Sequence, residues 1–415
     1  MADIKPYKIS VPDSSISDLK HRLSLAKFPD ELAHAGWDLG SPLNDIKRLA
    51  TYWRDSYDWR KAESYFNTFP QFTTQIQCDG FEAVDVHFLH RRATVQGSIP
   101  LLFVHGWPGS FHEGLKIMDK LVEGDGMTEP AFDVVIISLP NYGFSGAVKT
   151  RGFAIVQYAE TCNRLMLKLG YPEYVTQGGD WGFYITRAIS LLYPDHCKAT
   201  HLNFDFGTAP TFATHPYLAL KHAVLPYTER EKKGLARSKW FLEEGSGYRF
   251  EQSTKPQTLG YSLADSPVGL LGWIYEKLHD WTDDYPFTDD EICTWVSIYW
   301  FSTAGPAANV RIYYEAVHTF NDPKQRITRE RVGEWIPHVK IGYSHQPQEL
   351  RPVPKTWVAK LGNIVFERDH DSGGHFFAYE RPDYLVTDLR DMFRKGGGAY
   401  ACIKDRRGYH VGSKL

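Results

Sequence analysis

The chain has 415 residues, 42% of them hydrophobic and 23% charged, which suits one large core with insertions and shows no low-complexity tract. A net charge of −3, with no long basic run, argues against nucleic acid as a partner. The longest apolar run, Val134 to Leu139, is a strand's length and far short of a membrane span, and the opening MADIKPYKIS has no apolar secretory core. Five cysteines without CxxC spacing read as reduced, buried small hydrophobes, so neither a disulfide nor a metal framework is expected. Together these features lead to the expectation of a soluble, intracellular protein. Aromatic residues at 14% hint at a pocket lined by Trp, Tyr and Phe.

Residues 1–95 read as a preliminary meander that must lie against something larger. Asp13-Ser14-Ser15 precedes Ile16, Leu19 and Leu23, the signature of a capped amphipathic helix, and Leu49 and Trp53 share a face of a second helix over Ile46 to Trp53. Pro- and aromatic-rich connections follow, such as Phe66-Asn67-Thr68-Phe69-Pro70. From Phe81 strands and helices alternate. Strands are expected at Val84 to Leu89, Ile99 to Val104, Phe132 to Leu139 and Tyr174 to Gln177, with helices marked by Tyr158 to Leu169 and Ile185 to Leu192. This rhythm predicts an α/β fold with a mostly parallel sheet. The core is expected to run over 96–210 and to resume over 326–415 with strands at Val339 to Tyr343 and Asn363 to Glu367. Residues 211–325, aromatic and helical, read as an inserted helical cap. At the C-terminus, Ser413-Lys414-Leu415 is the tripeptide read by the peroxisomal import receptor, so a peroxisomal address is expected, with the cytoplasm as the alternative.

Three motifs carry chemistry. Gly178-Gly179-Asp180-Trp181-Gly182 has the G-x-nucleophile-x-G spacing of a strand-to-helix elbow, where small residues are needed because the backbones nearly touch. An Asp that merely caps the following helix is the plain alternative. His105-Gly106-Trp107-Pro108-Gly109 follows an apolar strand, where a hydrolase fold places one backbone N–H of an oxyanion hole; the donors would be Trp107 and Trp181. Gly373-Gly374-His375 follows the last expected strand, the place of the base in the chain order nucleophile, acid, base. Glu349 is the only carboxylate in the segment after Val339 to Tyr343, with Asp369 and Asp371 as competitors for the acid partner.

These stretches, together with Pro140-Asn141-Tyr142-Gly143-Phe144-Ser145 and Gly247-Tyr248, resemble the microsomal-type epoxide hydrolases, including their soluble fungal members, over nearly the whole length. The resemblance implies an α/β-hydrolase fold with an N-terminal meander and a cap, and two cap tyrosines that hold the epoxide oxygen. The matching positions are Tyr248 and Tyr313, with Tyr314 as a neighbour that could exchange with Tyr313. Two departures stand out. The apolar N-terminal anchor helix of membrane-bound members is not seen in these residues, so a soluble enzyme is expected, and Gln346-Pro347-Gln348-Glu349-Leu350 is less apolar than the usual F-P-x-[DE]-L.

The chemistry is coherent with that implication. An Asp of ordinary pKa, about 3.9, is ionised at neutral pH and can open a strained ring to give an alkyl ester. Phenols of pKa about 10 can protonate the leaving oxygen. His375, oriented by Glu349, would then activate water to release a vicinal diol, with no metal or cofactor. The expected partners are therefore a hydrophobic epoxide and water, in detoxification or secondary metabolism. No sequence feature decides between monomer and homodimer. Three rivals remain at this level: a haloalkane dehalogenase, a biosynthetic enzyme that opens an epoxide by cyclisation, and a hydrolase-fold protein that only binds.

Overall fold

Nine strands build a single sheet in the order β1-β2-β3-β5-β4-β6-β7-β8-β9, in a computed structural model that describes residues 3–319, 326–328 and 331–410. Strands β4 (Ile99–Val104), β5 (Phe132–Ile137), β6 (Tyr174–Gly178), β7 (Cys197–Leu202), β8 (Ile336–His345) and β9 (Gly362–Asp369) are parallel. Strands β1 (Lys5–Pro6), β2 (Gln71–Gln77) and β3 (Ala83–Arg91) extend this core as an antiparallel wing. Every residue of β4 and β5 is buried, which is why both read as continuous apolar runs: helices cover both faces of the sheet centre. Helices Ile155–Lys168 and Trp181–Leu192 pack as one pair on the sheet, and Leu115–Val122 with Pro382–Phe393 as another.

The N-terminal segment differs from its sequence reading in three ways. Its first helix, Asp13–Ser24, is preceded by Pro12 and has no side-chain cap; the Asp13 carboxylate instead pairs with Arg60. A helix over Trp59–Phe66 stands where only a connection was expected, and β1 and β2 join the sheet. The sequence QFTTQIQ of β2 is too polar to announce a strand; its complete antiparallel ladder with β3 makes it one. Strand β7, CKATHL, was also unforeseen. It lies inside the sheet because its polar side chains find partners there, Thr200 with Thr176 at 2.9 Å and His201 with Ser344 at 3.0 Å.

Seven α-helices, from Pro216–Val224 to Arg311–His318, lie between β7 and β8 among the described residues. Prolines at 216, 256 and 267 start three of them, and Thr228 and Thr288 start two more through reciprocal capping with Glu231 and Glu291. This helical insertion is tied to the core by directed bonds. The Trp295 indole donates to the Pro108 carbonyl (2.5 Å) and Tyr299 to that of Gly109 (2.7 Å), while Arg230 reaches the carbonyls of His345 and His370. The N-terminal segment leans on the same insertion: Trp53 donates to Ser297 at 2.9 Å, and Tyr57 meets Thr294 at 3.0 Å. No helix among the described residues is long and apolar enough to cross a membrane.

Where β6 turns into helix Trp181–Leu192, a Cβ on Gly182 would stand 1.9 Å from the Val104 carbonyl oxygen of β4. Backbone cannot yield as a side-chain tip can. Gly182→Ala should therefore cost at least about 2 kcal/mol of stability, read as a lowered urea midpoint, or prevent soluble expression.

Candidate active site

The parallel strands end in register: Val104 pairs with Gly178, Gly178 with Leu202, and Leu202 with Tyr343. Residues just past those ends are thereby delivered to one edge of the sheet, the customary place for a site in an open α/β fold. Asp180 comes off β6 at φ 49°, ψ −124°, a conformation that costs a non-glycine residue roughly 1–3 kcal/mol. The turn is held by contact. A Cβ on Gly178 would lie 2.6 Å from the Gly182 backbone, and one on Gly106 would lie 2.5 Å from the Asp180 side chain. Asp180 makes no capping bond to its helix. Its Oδ1 accepts from the Trp107 backbone N–H at 2.9 Å, which overturns the reading of a mere helix cap.

The other carboxylate oxygen, Oδ2, lies 3.5 Å from His375 Nε2. On the far side of that ring, Nδ1 is 2.6 Å from Glu349 Oε1, and Glu349 is wholly buried. Backbone register makes this meeting: Gln348 and Gly374 form a parallel bridge, with the Gln348 N–H on the Gly373 carbonyl at 3.2 Å. The Arg237 guanidinium braces the acid loop by donating to the Glu349 carbonyl at 2.8 Å. Asp369 instead pairs with Lys355 at 2.7 Å, and Asp371 is exposed; neither neighbours His375. Burial presses the His375 pKa down, but the charges and hydrogen bonds of Glu349 and Asp180 outweigh it and raise the pKa to about 10.

Tyr248 and Tyr313 come from the helical insertion and are both buried. Tyr248 stacks on Trp107 (centroids 5.1 Å apart, planes at 9°), while Tyr313 stands edge-on to Trp181 at 4.8 Å and to Trp107 at 5.7 Å. The Tyr313 hydroxyl proton meets no acceptor among the described residues. Tyr314, in contrast, stacks on His318 and looks toward Arg151, away from the site. Trp181 opens its helix directly after Asp180, so its N–H is one of the first four that have no intrahelical acceptor.

The sequence reading missed several neighbours. The Trp281 carbonyl accepts from the His375 backbone N–H at 2.7 Å, and its ring packs edge-on to the imidazole. Asn309 accepts from the Trp107 indole at 2.8 Å. The buried Lys277 ammonium sits 5.0 Å from the centre of the Tyr248 ring and pairs with Glu276. Glu113 borders a space of about 20 Å3 together with Asp180 and His375. Burial pushes its carboxyl up to about 8, with the Asp180 charge adding to the rise and His375 opposing it. These residues come from distant elements and carry no local spacing signal. Only Glu113, close behind His105-Gly106-Trp107-Pro108-Gly109, lay within reach of a motif.

A carboxylate on a strand-to-helix elbow, a backbone N–H aimed at it and a buried His–Glu pair define an α/β hydrolase whose elbow residue is aspartate. Comparison with known proteins agrees. Residues 4–114 match the family model described as epoxide hydrolase N terminus, and residues 99–203 match that of the alpha/beta hydrolase fold. Epoxide hydrolase 1 of Sus scrofa is 34% identical over 93% of this chain and 88% of that protein. Juvenile hormone epoxide hydrolase 1 of Ctenocephalides felis is 31% identical over 94% of this chain and 86% of its own length. The solved structure of Aspergillus niger epoxide hydrolase superposes with a TM-score of 0.79 at 34% identity, covering 93% of this chain and 94% of that one. The chain belongs to the epoxide hydrolase family.

The position of Glu113 has a consequence for stability. A carboxyl raised in the native state from about 4.5 to about 8 binds more proton when folded than unfolded between those values. Its contribution is therefore full below the lower value and is lost as pH rises through the upper one. Glu113→Gln, which mimics the protonated form, should flatten the fall in Tm across that window. An equally steep fall in the variant would assign the slope to other groups.

Proposed function

We propose that this epoxide hydrolase opens a hydrophobic epoxide to a vicinal diol through a covalent ester on Asp180. One observation carries the reading: the Asp180 carboxylate is held between the Trp107 N–H and His375 Nε2, in a cavity also walled by Tyr248 and Tyr313. In the first step a carboxylate oxygen attacks an epoxide carbon as the ring C–O bond breaks. The departing oxygen takes a proton or strong hydrogen bond from the two phenols. Residues 211–325 act as the cap that suspends these phenols over the nucleophile and excludes water.

The second step uses the electrostatics of the histidine. With Asp180 ionised, the two flanking carboxylates hold His375 protonated. Alkylation turns Asp180 into a neutral ester and removes one of those charges, so the His375 pKa falls and the ring becomes able to accept a proton. The space of about 20 Å3 beside it suffices for one water, which needs roughly 10–15 Å3. Water deprotonated by His375 attacks the ester carbonyl. The resulting oxyanion lies against the N–H groups of Trp107 and Trp181, and its collapse frees the diol and restores Asp180. Glu349 keeps the imidazole oriented and its positive form favourable.

Asp180→Ala should abolish diol formation, by at least about a thousandfold in kcat, whereas Asp180-dependent alkylation should survive in His375→Gln. There the ester accumulates and appears as a mass increase equal to one substrate molecule on the peptide containing Asp180. Tyr313→Phe should lower kcat/KM by about a hundredfold through slower alkylation, measured in single-turnover kinetics. Full activity in Asp180→Ala would refute the covalent route. For the cellular address we propose peroxisomal import through Ser413-Lys414-Leu415, which lies outside the described residues. A fluorescent protein fused ahead of this chain should collect in peroxisomes and become diffuse when the tripeptide is removed.

A further inference from the structure

Glu349 orients the imidazole of His375, but the backbone that carries the ring is held by a separate set of bonds. Four consecutive amides, from Gly373 to Phe376, each find an acceptor outside their own loop. The Gly373 N–H donates to Asp283 Oδ2 at 2.8 Å, and the His375 N–H to the Trp281 carbonyl at 2.7 Å. The Gly374 and Phe376 N–H groups, one on either side of His375, donate to the two carboxylate oxygens of Glu380, each at 3.1 Å. A third amide, that of Asp283, reaches Glu380 Oε2 at 2.9 Å.

These acceptors come from two parts of the molecule. Trp281 and Asp283 follow helix Pro267–Asp280 of the insertion, whereas Glu380 ends the short core helix Phe377–Glu380. The two parts are in close contact: a Cβ on Gly374 would lie 2.5 Å from the Trp281 carbonyl oxygen and 2.8 Å from Thr282 Cα. Glu380 is buried, and burial pushes its carboxyl up to about 7, with the amides of Asp283 and Gly374 and the Arg381 charge opposing the rise. The Arg381 guanidinium itself donates to Ser372 at 2.9 Å and to the Glu380 main-chain carbonyl at 3.2 Å. A carboxylate is costly to bury unless its oxygens are met by donors. Here the donors are backbone amides, and an apolar side chain in its place would strip three of them of an acceptor.

We propose that Glu380 is a positioning residue for His375: by binding the amides on both sides of the histidine together with that of Asp283, it fixes the base to the end of the insertion helix. The placement of Nε2 relative to Asp180 then depends on this clamp as well as on Glu349. The proposal rests on the epoxide-opening reading, in which His375 acts as a base only after Asp180 has been alkylated. A loosened clamp therefore slows hydrolysis of the ester and spares its formation, since misplacing a reacting group by about 1 Å can cost about a hundredfold in rate.

The test uses the full chain with styrene oxide as the probe and follows the two half-reactions separately. Glu380→Gln keeps the size of the side chain but turns an NH2 group toward an amide donor. It should lower kcat by about tenfold while ester formation in a single turnover stays within about twofold of wild type. Enzyme quenched in acid during turnover should then carry more ester on the peptide containing Asp180 than wild type does. Loss of folded enzyme would instead reduce both half-reactions equally and leave the ester fraction of the active enzyme unchanged. Asp283→Ala, at a half-buried position, removes the acceptor of the Gly373 amide and should shift the ester fraction in the same direction, which keeps the test open if Glu380→Gln does not fold. Equal slowing of ester formation and hydrolysis, or an unchanged kcat in both variants, overturns the positioning role and leaves epoxide opening intact. Absence of any ester on Asp180 in His375→Gln would instead remove the epoxide-opening reading, and this inference with it.

Discussion

The whole site hangs on how closely three stretches of backbone approach one another at the end of β6. Gly178, Gly182 and the Val104 carbonyl meet at distances that leave no room for a Cβ, and Asp180 is forced to positive φ at the apex. A carboxylate on an ordinary helix end would bond its own backbone amides. Here the turn lifts it clear of the helix and into the reach of Trp107 and His375. The strain of the turn is borne by the central parallel strands, whose fully buried side chains fix β4 and β6 side by side.

A buried imidazole between two carboxylates is the second constraint. Glu349 lies 2.6 Å from one ring nitrogen and Asp180 3.5 Å from the other. The proton affinity of His375 is therefore tied to the charges of both neighbours, a coupling that follows from distance and burial. Burial pushes the Glu113 carboxyl, which borders the same space, up to about 8, toward its neutral form.

The helical insertion shares its walls with the core. Trp107, whose backbone N–H holds Asp180, also stacks on Tyr248 and donates its indole N–H to Asn309, and the Pro108 and Gly109 carbonyls accept from Trp295 and Tyr299. A shift of the insertion would thus displace the Trp107 loop and the two tyrosines together. Arg249 and Arg351, which line the cavity in front of Asp180, follow the same division, one from the insertion and one from the core.

Periodicity and glycine spacing by themselves determined a good deal of this protein. The central strands are self-evident because burial on both faces demands continuous apolar runs, and the G-x-Asp-x-G elbow is legible because only glycine tolerates that approach. Strands β2 and β7 were invisible because their polar side chains are satisfied by neighbours rather than by local pattern. The same limit applied to function. That Glu349 meets His375 while Asp369 pairs with Lys355, that Tyr313 faces Trp181 while Tyr314 stacks on His318, and that Glu113, Arg249 and Arg351 share cavities with one carboxylate were decided by tertiary structure. Electrostatic neighbours separated by tens of residues or more leave no spacing to read, since folding alone brings them within a few ångströms.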